Sequence, residues 1–434
     1  MKRYIGYCFW VGLEVVFFVG LPHLVIFPIA ANLVGKEQFG LFIFALGIVM
    51  IVGQAPSVGL ATGVIRHLAL LDSSGRDQLV GTSIHLCRIA MFVIAILGIV
   101  VSVGVWLAGS LDGRVLGCLI PLNGFLILWN LFDLQLVRCR VERRFAVRTL
   151  WYVVVSLMLF AVIPSAYWGG AVGMAWGYMA AFLVAYVVLS HKHGLLLRPP
   201  LHDKRSAHVL KEIWWHISVA SALALSSRYL YRIILGAFHS YADVSVFFGA
   251  TNIIDLFLSP VTILGSMLLS LLGGFVRIED VSRRQKHLVL CGAVFLCCTC
   301  TGLLMLCGRF MLELLFPEFG AESWPVLRGL VLIVPCVIII AFARPFVVKF
   351  GCIKLIPFLN MLVLASHLVP GLILIPRLAT KGAMMSCNVG YALSATLWLA
   401  ALVWTVKSET MSKRNMEARL ACEQGGAVMK NMTN

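Results

Sequence analysis

Residues 191–211, HKHGLLLRPPLHDKRSAHVLK, divide a chain of 434 residues into two long apolar halves. Five of the 21 residues in this stretch are Lys or Arg, whereas on either side of it apolar runs of roughly 20–30 residues alternate with short connections. A helix needs about 20 apolar residues to cross the hydrocarbon of a bilayer, where an open strand or loop would leave backbone groups unsatisfied. The sequence therefore predicts a helical protein that crosses a membrane many times, with this stretch as its longest internal connection.

The composition supports the same class. Hydrophobic residues make up 61% of the chain and charged residues 12%, which is about half of the charged fraction of a soluble domain. The mean hydropathy is +0.96, so little length is left for a soluble domain. The basic start Met1-Lys2-Arg3 resembles that of a signal peptide, but the apolar run that follows continues to about Ala31. We interpret this run as an uncleaved first span.

The net charge and the cysteines exclude several functional classes. A charge of +16 would favour a nucleic-acid partner in a soluble protein, but basic cytoplasmic loops beside anionic lipid explain it here, and no nucleic acid is expected. Cys297 and Cys300 form a CxxC inside an apolar run with no second pair of ligands nearby, which favours apolar packing over metal or redox chemistry. The sequence has no P-loop, HExxH or GxSxG motif. We expect no enzyme activity, no metal site and no cofactor.

Twelve membrane spans are predicted, six on each side of the long connection. With the N-terminus inside, 26 of the 35 Lys and Arg residues fall in cytoplasmic segments and five in outer connections. Because basic loops stay in the cytoplasm, this bias predicts that both termini are cytoplasmic. The four remaining cations, at membrane depth, are Arg88, Arg228, Arg232 and Arg328. The predicted spans are approximately 5–32, 39–64, 80–108, 115–137, 149–168, 169–190, 212–238, 243–275, 286–308, 323–343, 353–376 and 381–406.

The two halves resemble each other weakly. Residues 39–45 (FGLFIFA) align with residues 244–250 (VSVFFGA), and each segment follows a first span and a short outer turn. Two six-helix repeats in the same orientation imply a pseudo-twofold axis along the membrane normal, with a ligand site between them. We therefore predict an all-α polytopic membrane protein with two six-helix lobes around a central cavity. Its parts are an N-terminal lobe (1–190), a cytoplasmic linker (191–211), a C-terminal lobe (212–406) and a cytoplasmic tail (407–434).

The seventh span carries the clearest candidate site. Ser218, Ser221, Arg228 and Arg232 fall at helical offsets of 0, 3, 10 and 14, which places them on one face. A charge inside a membrane is expensive and marks a functional candidate, and a guanidinium binds phosphate oxygens in a bidentate manner. These two arginines therefore suggest a diphosphate site. The alternative is that they snorkel, or pair with an acid such as Asp255 for structural reasons.

A polar stripe also follows the eighth span. Asn252, Asp255 and Ser259 share one helical face, which Thr262 and Ser266 extend. Such a stripe could line a hydrated cavity, but small hydroxyl residues also stabilise helix–helix contacts in lipid. Both interpretations remain open for the hydroxyls, whereas the carboxylate favours the cavity.

The first half contributes weaker candidates. Glu14 lies in a first span that Pro22 and Pro28 bend, and it could take up a proton or Na⁺, or balance a nearby arginine. Asp133 and Asp255 are the other ion-coupling candidates. Arg66 ends the second span, where it could face the mouth of the cavity or simply follow the positive-inside rule. Arg88 is a further cavity candidate that could equally lie near an interface.

Three longer segments carry a family resemblance. The first is 31–42 (ANLVGKEQFGLF), followed by 59–69 (GLATGVIRHLA), the second is 226–238 (SSRYLYRIILGAF), and the third is 316–328 (FPEFGAESWPVLR). They resemble, in order, the first outer turn, the seventh span and the outer turn before the tenth span of the Wzx-type O-antigen flippases. That polysaccharide transporter family belongs to the multidrug/oligosaccharidyl-lipid/polysaccharide exporter (MOP) superfamily.

The resemblance implies a V-shaped, two-lobed transporter of the bacterial inner membrane that works by alternating access. Its implied cargo is an undecaprenyl-pyrophosphate-linked oligosaccharide, an O-antigen or exopolysaccharide repeat unit. Arg66 and Arg232 match positions where the family often has cations in or near the cavity. Besides membrane lipids, a polysaccharide polymerase and a chain-length regulator are candidate partners. The alternative function is that of a cation-coupled multidrug antiporter of the same superfamily, which would favour an acid-dominated cavity.

Overall fold

The described structure is helical throughout. This computed structural model describes residues 9–10, 12–53, 55–68, 73–108, 112–141, 144–192, 204–272, 283–351 and 355–432. No strand occurs in these ranges, and the predicted all-α class is confirmed. The helices are Val16–Gly20, Pro22–Ile26, Phe27–Gly53, Ala55–Leu68, Ser73–Leu107, Gly113–Val141, Phe145–Met158, Leu159–Ala161, Val162–Lys192, Lys204–Phe238, Tyr241–Leu272, Arg283–Leu315, Gly320–Leu330, Ile333–Phe350 and Leu355–Met432.

Three of the helices run through a sharp turn of the backbone that separates two crossings of the bundle. The backbone turns sharply at Gly35 (φ 79°), Gly170 (φ 56°) and Ala379 (φ 49°). At the first turn the chain doubles back: the rings of Phe27 and Phe42, which lie on either side of the turn, are only 6.3 Å apart. With these turns as boundaries, the described residues make about twelve crossings, as predicted.

We number the crossings along the chain and refer to them as spans. Eight helical segments are long and apolar enough to cross a membrane, and three of these contain one of the sharp turns. The helix Lys204–Phe238 is not among those eight, although it carries Arg228 and Arg232. Such a polar crossing is expected to face other helices or water rather than lipid. The spans are 12–34, 36–53 with 55–68, 73–107, 113–141, 145–169, 171–192, 204–238, 241–272, 283–315, 320–350, 355–378 and 380–408.

The first span is irregular. It contains two successive π-helical turns, Val16–Gly20 and Pro22–Ile26, before it becomes an α-helix at Phe27. The sequence already predicted a bend here from Pro22 and Pro28, since each proline removes a backbone hydrogen bond. π-helical turns are rare and often occur at functional sites. The first of these turns lies between Glu14 and His23, and His23 belongs to the second; both residues contact distant parts of the chain.

The first six spans contact the last six over much of the second and seventh spans. A Cβ on Gly59 of the second span would meet the hydroxyl of Ser218 and the backbone and ring of Trp214 on the seventh. Further out, a Cβ on Gly236 would meet the ring of Phe44. Glycine at these positions lets the two helices approach closely, as is typical of helix contacts in membranes.

One end of the bundle is held closed by polar contacts between the two halves. We call it the outer end, following the charge bias; it contains the turns at residues 35, 239–240, 316–319 and 379. Lys36 Nζ lies 3.1 Å from Glu322 Oε1, and the backbone N–H of Lys36 donates to Glu318 Oε2 at 3.0 Å. Ser245 Oγ donates to the carbonyl oxygen of Lys36 at 2.5 Å. These contacts join the first two spans to the last six.

Loss of the two outer carboxylates should loosen this end. We expect the double variant Glu318→Gln/Glu322→Gln to shift the equilibrium toward an open outer end by about fivefold, because exposed ion pairs contribute at most about 1 kcal/mol. Distance measurements between spin labels on the exposed positions Leu33 and Ala321 would show it. Glu313→Gln is the matched control, since Glu313 pairs with Arg309 of its own span. Equal distance distributions in the double variant and wild type would contradict a closing role.

Candidate functional site

An ion pair joins two neighbouring spans in the second half of the chain. Arg228 Nη2 of the seventh span is 2.8 Å from Asp255 Oδ2 of the eighth. The Arg228 side chain is nevertheless 48% exposed and that of Asp255 26%. The two residues whose partnership the sequence left open are therefore in contact, and one face of the arginine remains accessible.

Arg228 lies at mid-depth of the bundle, close to residues of two other spans. It lies ten residues before Phe238, the outer end of the seventh span, or roughly 15 Å along the helix. That is about half of the hydrocarbon thickness. Its charge interacts with Asp255 of the eighth span and with Tyr391 of the twelfth. Because a charge at this depth is costly against lipid, we infer that the half-exposed guanidinium faces a space between these spans.

Arg232 occupies the same helical face one turn further out. Its side chain is buried, and its Nη2 donates to Thr251 Oγ1 at 3.2 Å. The guanidinium lies over the ring of Phe248 at 5.0 Å and over that of Tyr229 at 5.6 Å. Its Nε has no hydrogen-bond partner within the described ranges. Arg232 thus has a hydrogen-bond donor that the surrounding protein does not use. Within the described ranges no carboxylate contacts its guanidinium.

Asn252 joins the two halves of the chain. Its side-chain oxygen and Nδ1 of His23 share a hydrogen bond, and its Nδ2 donates to the carbonyl oxygen of His23 at 3.0 Å. His23 also lies within electrostatic range of Asp255 and both arginines. A residue of the first span therefore reaches the charged site, and this position of the polar stripe serves a contact between helices.

The serines predicted to extend the site have local roles. Ser218 packs against Gly59 between the second and seventh spans, and its hydroxyl has no partner among the described residues. Ser221 is buried in the same helix. Ser259 Oγ donates to the carbonyl oxygen of Leu256 in its own span at 2.8 Å. The surroundings of Ser218 are those of a contact between two helices.

A second charged network lies in the first half. Glu14 Oε1 is 2.9 Å from Arg148 Nη2, and that nitrogen also lies 3.4 Å from the Tyr152 hydroxyl. The hydroxyl in turn donates to Asp133 Oδ1 at 2.7 Å. The network joins the first, fourth and fifth spans, with the arginine side chain 7% and the Glu14 side chain 17% exposed.

Arg148 was missed as a site residue. The predicted spans 115–137 and 149–168 left it in the connection between them, which the charge bias assigns to the cytoplasm and which contains a basic run from Arg138 to Arg148. The fifth span already begins at Phe145, so Arg148 lies one turn inside the helix. Its spacing of four residues from Tyr152 puts both on one face, and this signal could have been recognised.

Removal of this buried cation should cost stability. We expect Arg148→Ala to lower the free energy of unfolding by about 3 kcal/mol, since it leaves carboxylates buried without their cation. Thermal unfolding of the purified protein in detergent would measure it. The double variant Arg148→Ala/Glu14→Gln should recover part of the loss. Arg144→Ala, at an exposed position beside the start of the same helix, is the control; an equal loss there would contradict the role of the network.

The remaining predicted cations are less central. The backbone of Arg66 lies in the helix Ala55–Leu68, but its side chain is outside the described part of the structure. Arg88 is half-buried in the third span, and its charge and that of Asp133 both act on Cys87. Arg88 therefore lies nearer to the network of the first half than to the central pair.

A neutral polar cluster around Tyr231 and His367 joins the seventh span to its neighbours. The Tyr231 hydroxyl is 2.6 Å from His367 Nδ1 and 3.0 Å from the carbonyl oxygen of Ser386. His367 Nε2 is 3.1 Å from Ser394 Oγ. The cluster ties the seventh span to the eleventh and twelfth, and Tyr231 lies directly between the two arginines in sequence. Sequence reasoning missed it, because its members lie far apart along the chain.

Neither network has the composition of a metal site. Among the described residues, no group of three or more His, Cys, Asp and Glu side chains is placed to hold a metal ion. The central site instead presents two guanidiniums, one carboxylate and aromatic rings, a set suited to a large anion with polar and apolar parts.

Comparison with known proteins gives a clear answer for the fold. No family model and no curated protein matches the sequence. Among solved structures, a multidrug resistance MATE family transporter of the MOP superfamily in its inward-facing conformation matches with a TM-score of 0.72 and 16% identity, over 93% of this chain and 98% of that one. The chain has the fold of MOP-superfamily transporters.

Two further structures show how widely this fold is shared. A MOP-superfamily transporter from Pyrococcus furiosus Vc1 (DSM3638), described as having a binding pocket of reverse polarity, matches with a TM-score of 0.71 at 15% identity, over 93% of this chain and 95% of that one. The lipid II flippase MurJ in its inward closed conformation matches with a TM-score of 0.72 at 10% identity, over 94% and 91%. These neighbours are transporters and a flippase rather than enzymes. They do not single out the O-antigen flippases among the superfamily.

Proposed function

We propose that this chain is a flippase that moves an undecaprenyl-pyrophosphate-linked oligosaccharide, an O-antigen or exopolysaccharide repeat unit, across the bacterial inner membrane by alternating access. The observation that carries the proposal is the pair Arg228 and Arg232, on one face of the seventh span near the middle of the bilayer. One guanidinium is half exposed and the other has an unused donor. The fold shared with a lipid II flippase supports the same class of cargo.

The diphosphate is the part of such a cargo that is hardest to move across a membrane. An anion cannot enter hydrocarbon without a polar environment that replaces its water. Two guanidiniums, each with a planar fork of donors, supply both charge and directed hydrogen bonds to phosphate oxygens. The oligosaccharide would occupy the internal space beside Arg228 while the polyprenyl chain stays in lipid.

The contacts between the halves suit alternating access. The outer end is closed through Lys36, Glu318 and Glu322, and His23 holds the first span against the eighth beside the charged site. In the proposed cycle the N-terminal lobe (1–190) and the C-terminal lobe (212–406) rock about the cavity, so these contacts break when the site opens outward. The charge bias along the chain would place both termini in the cytoplasm.

The network of the first half is our candidate for energy coupling. Within the described residues, the contacts of this network join two carboxylates, Glu14 and Asp133, with the guanidinium of Arg148. A partly buried carboxylate can take up H⁺ or Na⁺, which offsets the cost of its buried charge. Because Glu14 lies next to the π-helical turns of the first span, ion binding there would act on the span that also carries His23.

A direct test is complementation of export. Wild-type protein would be expressed in a bacterium that lacks its own O-antigen flippase, and surface glycan measured at known membrane abundance. In parallel, a strain depleted of its lipid II flippase would be tested for growth. Restored surface glycan supports the proposed cargo, whereas restored growth alone would assign a different lipid-linked cargo.

The multidrug alternative needs its own measurement, because a MATE transporter shares the fold. A cationic drug needs an acid, and the acid nearest to the central site, Asp255, is already paired with Arg228. We therefore expect no ethidium efflux from cells that express the protein at the same abundance. Ethidium efflux without glycan export would overturn the flippase assignment.

A further inference from the structure

The carboxylate of Asp255 stands where a substrate phosphate is expected to bind. Its Oδ2 is 2.8 Å from Arg228 Nη2, a distance typical of a charge-assisted hydrogen bond. Arg228 and Arg232 also act on Asp255 together as positive charges. The arginine that is most accessible to a ligand is thus the one that already holds an anion belonging to the protein.

We propose that Asp255 is a built-in competitor for the diphosphate: it holds Arg228 while the site is empty, gives way when cargo binds, and returns to drive release. This inference rests on the proposed function. It assigns to the residue a role in turnover that differs from ion coupling.

The placement of the pair separates this role from that of a gate. Arg228 and Asp255 lie on the seventh and eighth spans, which are neighbours in sequence and are joined by the short turn at 239–240. Contacts that close the outer end connect the first two spans with the last six, whereas this ion pair lies within the last six. Opening of the outer end therefore does not require the pair to break, whereas a phosphate oxygen that binds Arg228 Nη2 must compete with Asp255 Oδ2 for it.

The charge balance favours the same role. Two guanidiniums would hold a diphosphate tightly, and a transporter that binds its cargo too strongly on one side cannot release it on the other. With the carboxylate present, the central site carries one net positive charge instead of two. Among the described residues, three other titratable side chains lie within electrostatic range of Asp255: His23 of the first span, which is engaged with Asn252, and Cys387 and Tyr391 of the twelfth.

The test compares binding with turnover. Purified protein in nanodiscs would be titrated with geranylgeranyl diphosphate as the probe, and the same variants assayed for surface glycan export at equal abundance. We expect Asp255→Asn to bind the probe about tenfold more tightly, the gain from removing one competing charged hydrogen bond, and to export several-fold more slowly. Asp243→Asn is the matched control, because Asp243 lies in the first turn of the same span and bonds only to Ser240 among the described residues.

A double variant distinguishes competition from simple repulsion. In the Arg228→Gln background, the added change Asp255→Asn should lose most of its tenfold effect, since the contested guanidinium is gone. A full gain in that background, or unchanged affinity of Asp255→Asn beside a wild type that binds, would overturn the competitor role and leave the flippase in place. If Asp255→Asn fails to fold while the double variant folds, the carboxylate is a structural counter-ion and the proposal is wrong. A wild type that neither binds the probe nor exports glycan would refute the proposed function itself.

Discussion

Replacement of Arg232 by Ala is expected to reduce export of lipid-linked glycan at least about thirtyfold at unchanged membrane abundance, since loss of one partner of a buried charged contact costs several kcal/mol. The side chain is buried at the central site and keeps its Nε unused within the described residues. An alanine there would leave Arg228, already paired with Asp255, as the only guanidinium on this face. Complementation of a flippase-deleted strain, scored as surface glycan per unit of protein, would measure the loss.

Two matched variants sharpen this prediction. Arg232→Lys keeps the charge but not the planar fork, so we expect an intermediate loss if phosphate is bound in a bidentate manner. Arg309→Ala removes an exposed arginine that pairs only with Glu313 one helical turn away, as far as the described structure shows, and export should not change. Full export by Arg232→Ala would remove this residue from the cargo site, even if the flippase assignment survived. Equal losses in all three variants would indicate a general effect on insertion.

The class of fold and the position of the charged face could be read from the sequence because both depend on local patterns. Apolar runs of span length predict crossings, and a spacing of four residues places Arg228 and Arg232 on one helical face regardless of what surrounds the helix. Alternation of basic connections added a predicted orientation. None of these arguments needs knowledge of which helices become neighbours.

The partners of the charged residues could not be read in the same way. Glu14 meets Arg148, and His23 meets Asn252, over sequence separations of more than a hundred residues. Helical periodicity gives the face on which each residue lies but not the helix that this face meets. For Arg148 a second effect misled the interpretation, because a cation at the end of a basic run satisfies the positive-inside rule equally well.

The polar stripe of the eighth span illustrates the same limit. Asn252, Asp255 and Ser259 share one face, as the spacing predicted, yet they do different things: Asn252 binds the first span, Asp255 binds Arg228, and Ser259 bonds within its own helix. A face that crosses from one neighbour to the next along a long helix meets several environments. Shared periodicity therefore does not imply a shared role.

The second large effect is expected where the two halves touch at the outer end. A Cβ on Gly40 of the second span would overlap the backbone carbonyl of Tyr241 and lie 2.8 Å from Ser245 Oγ, at the start of the eighth span. Backbone cannot move aside as a flexible side chain can, so Gly40→Ala should keep the outer end from closing. We expect export to fall by about tenfold or more, because closure that costs more than about 1.4 kcal/mol is disfavoured at least tenfold.

The reason to choose alanine is that it isolates the steric effect. Alanine stabilises a helix by about 1 kcal/mol relative to glycine, so the second span itself is not weakened by this change. Gly47→Ala is the matched control in the same span, because a Cβ there meets only a side-chain carbon of Ile233 at 3.6 Å and a backbone oxygen at 4.0 Å. It should export normally.

A labelling measurement would connect the loss of export with the state of the outer end. In a cysteine-free background, Thr251→Cys places a thiol beside Arg232, and a membrane-impermeant maleimide added to intact cells would reach it only when the outer end is open. Gly40→Ala should raise this labelling several-fold, and Gly47→Ala should not. Lost export without increased labelling would mean that the overlap with Tyr241 disturbs the protein in another way. Normal export by Gly40→Ala would show that close approach of these two spans is not needed for the transport cycle, and would contradict closure at this contact.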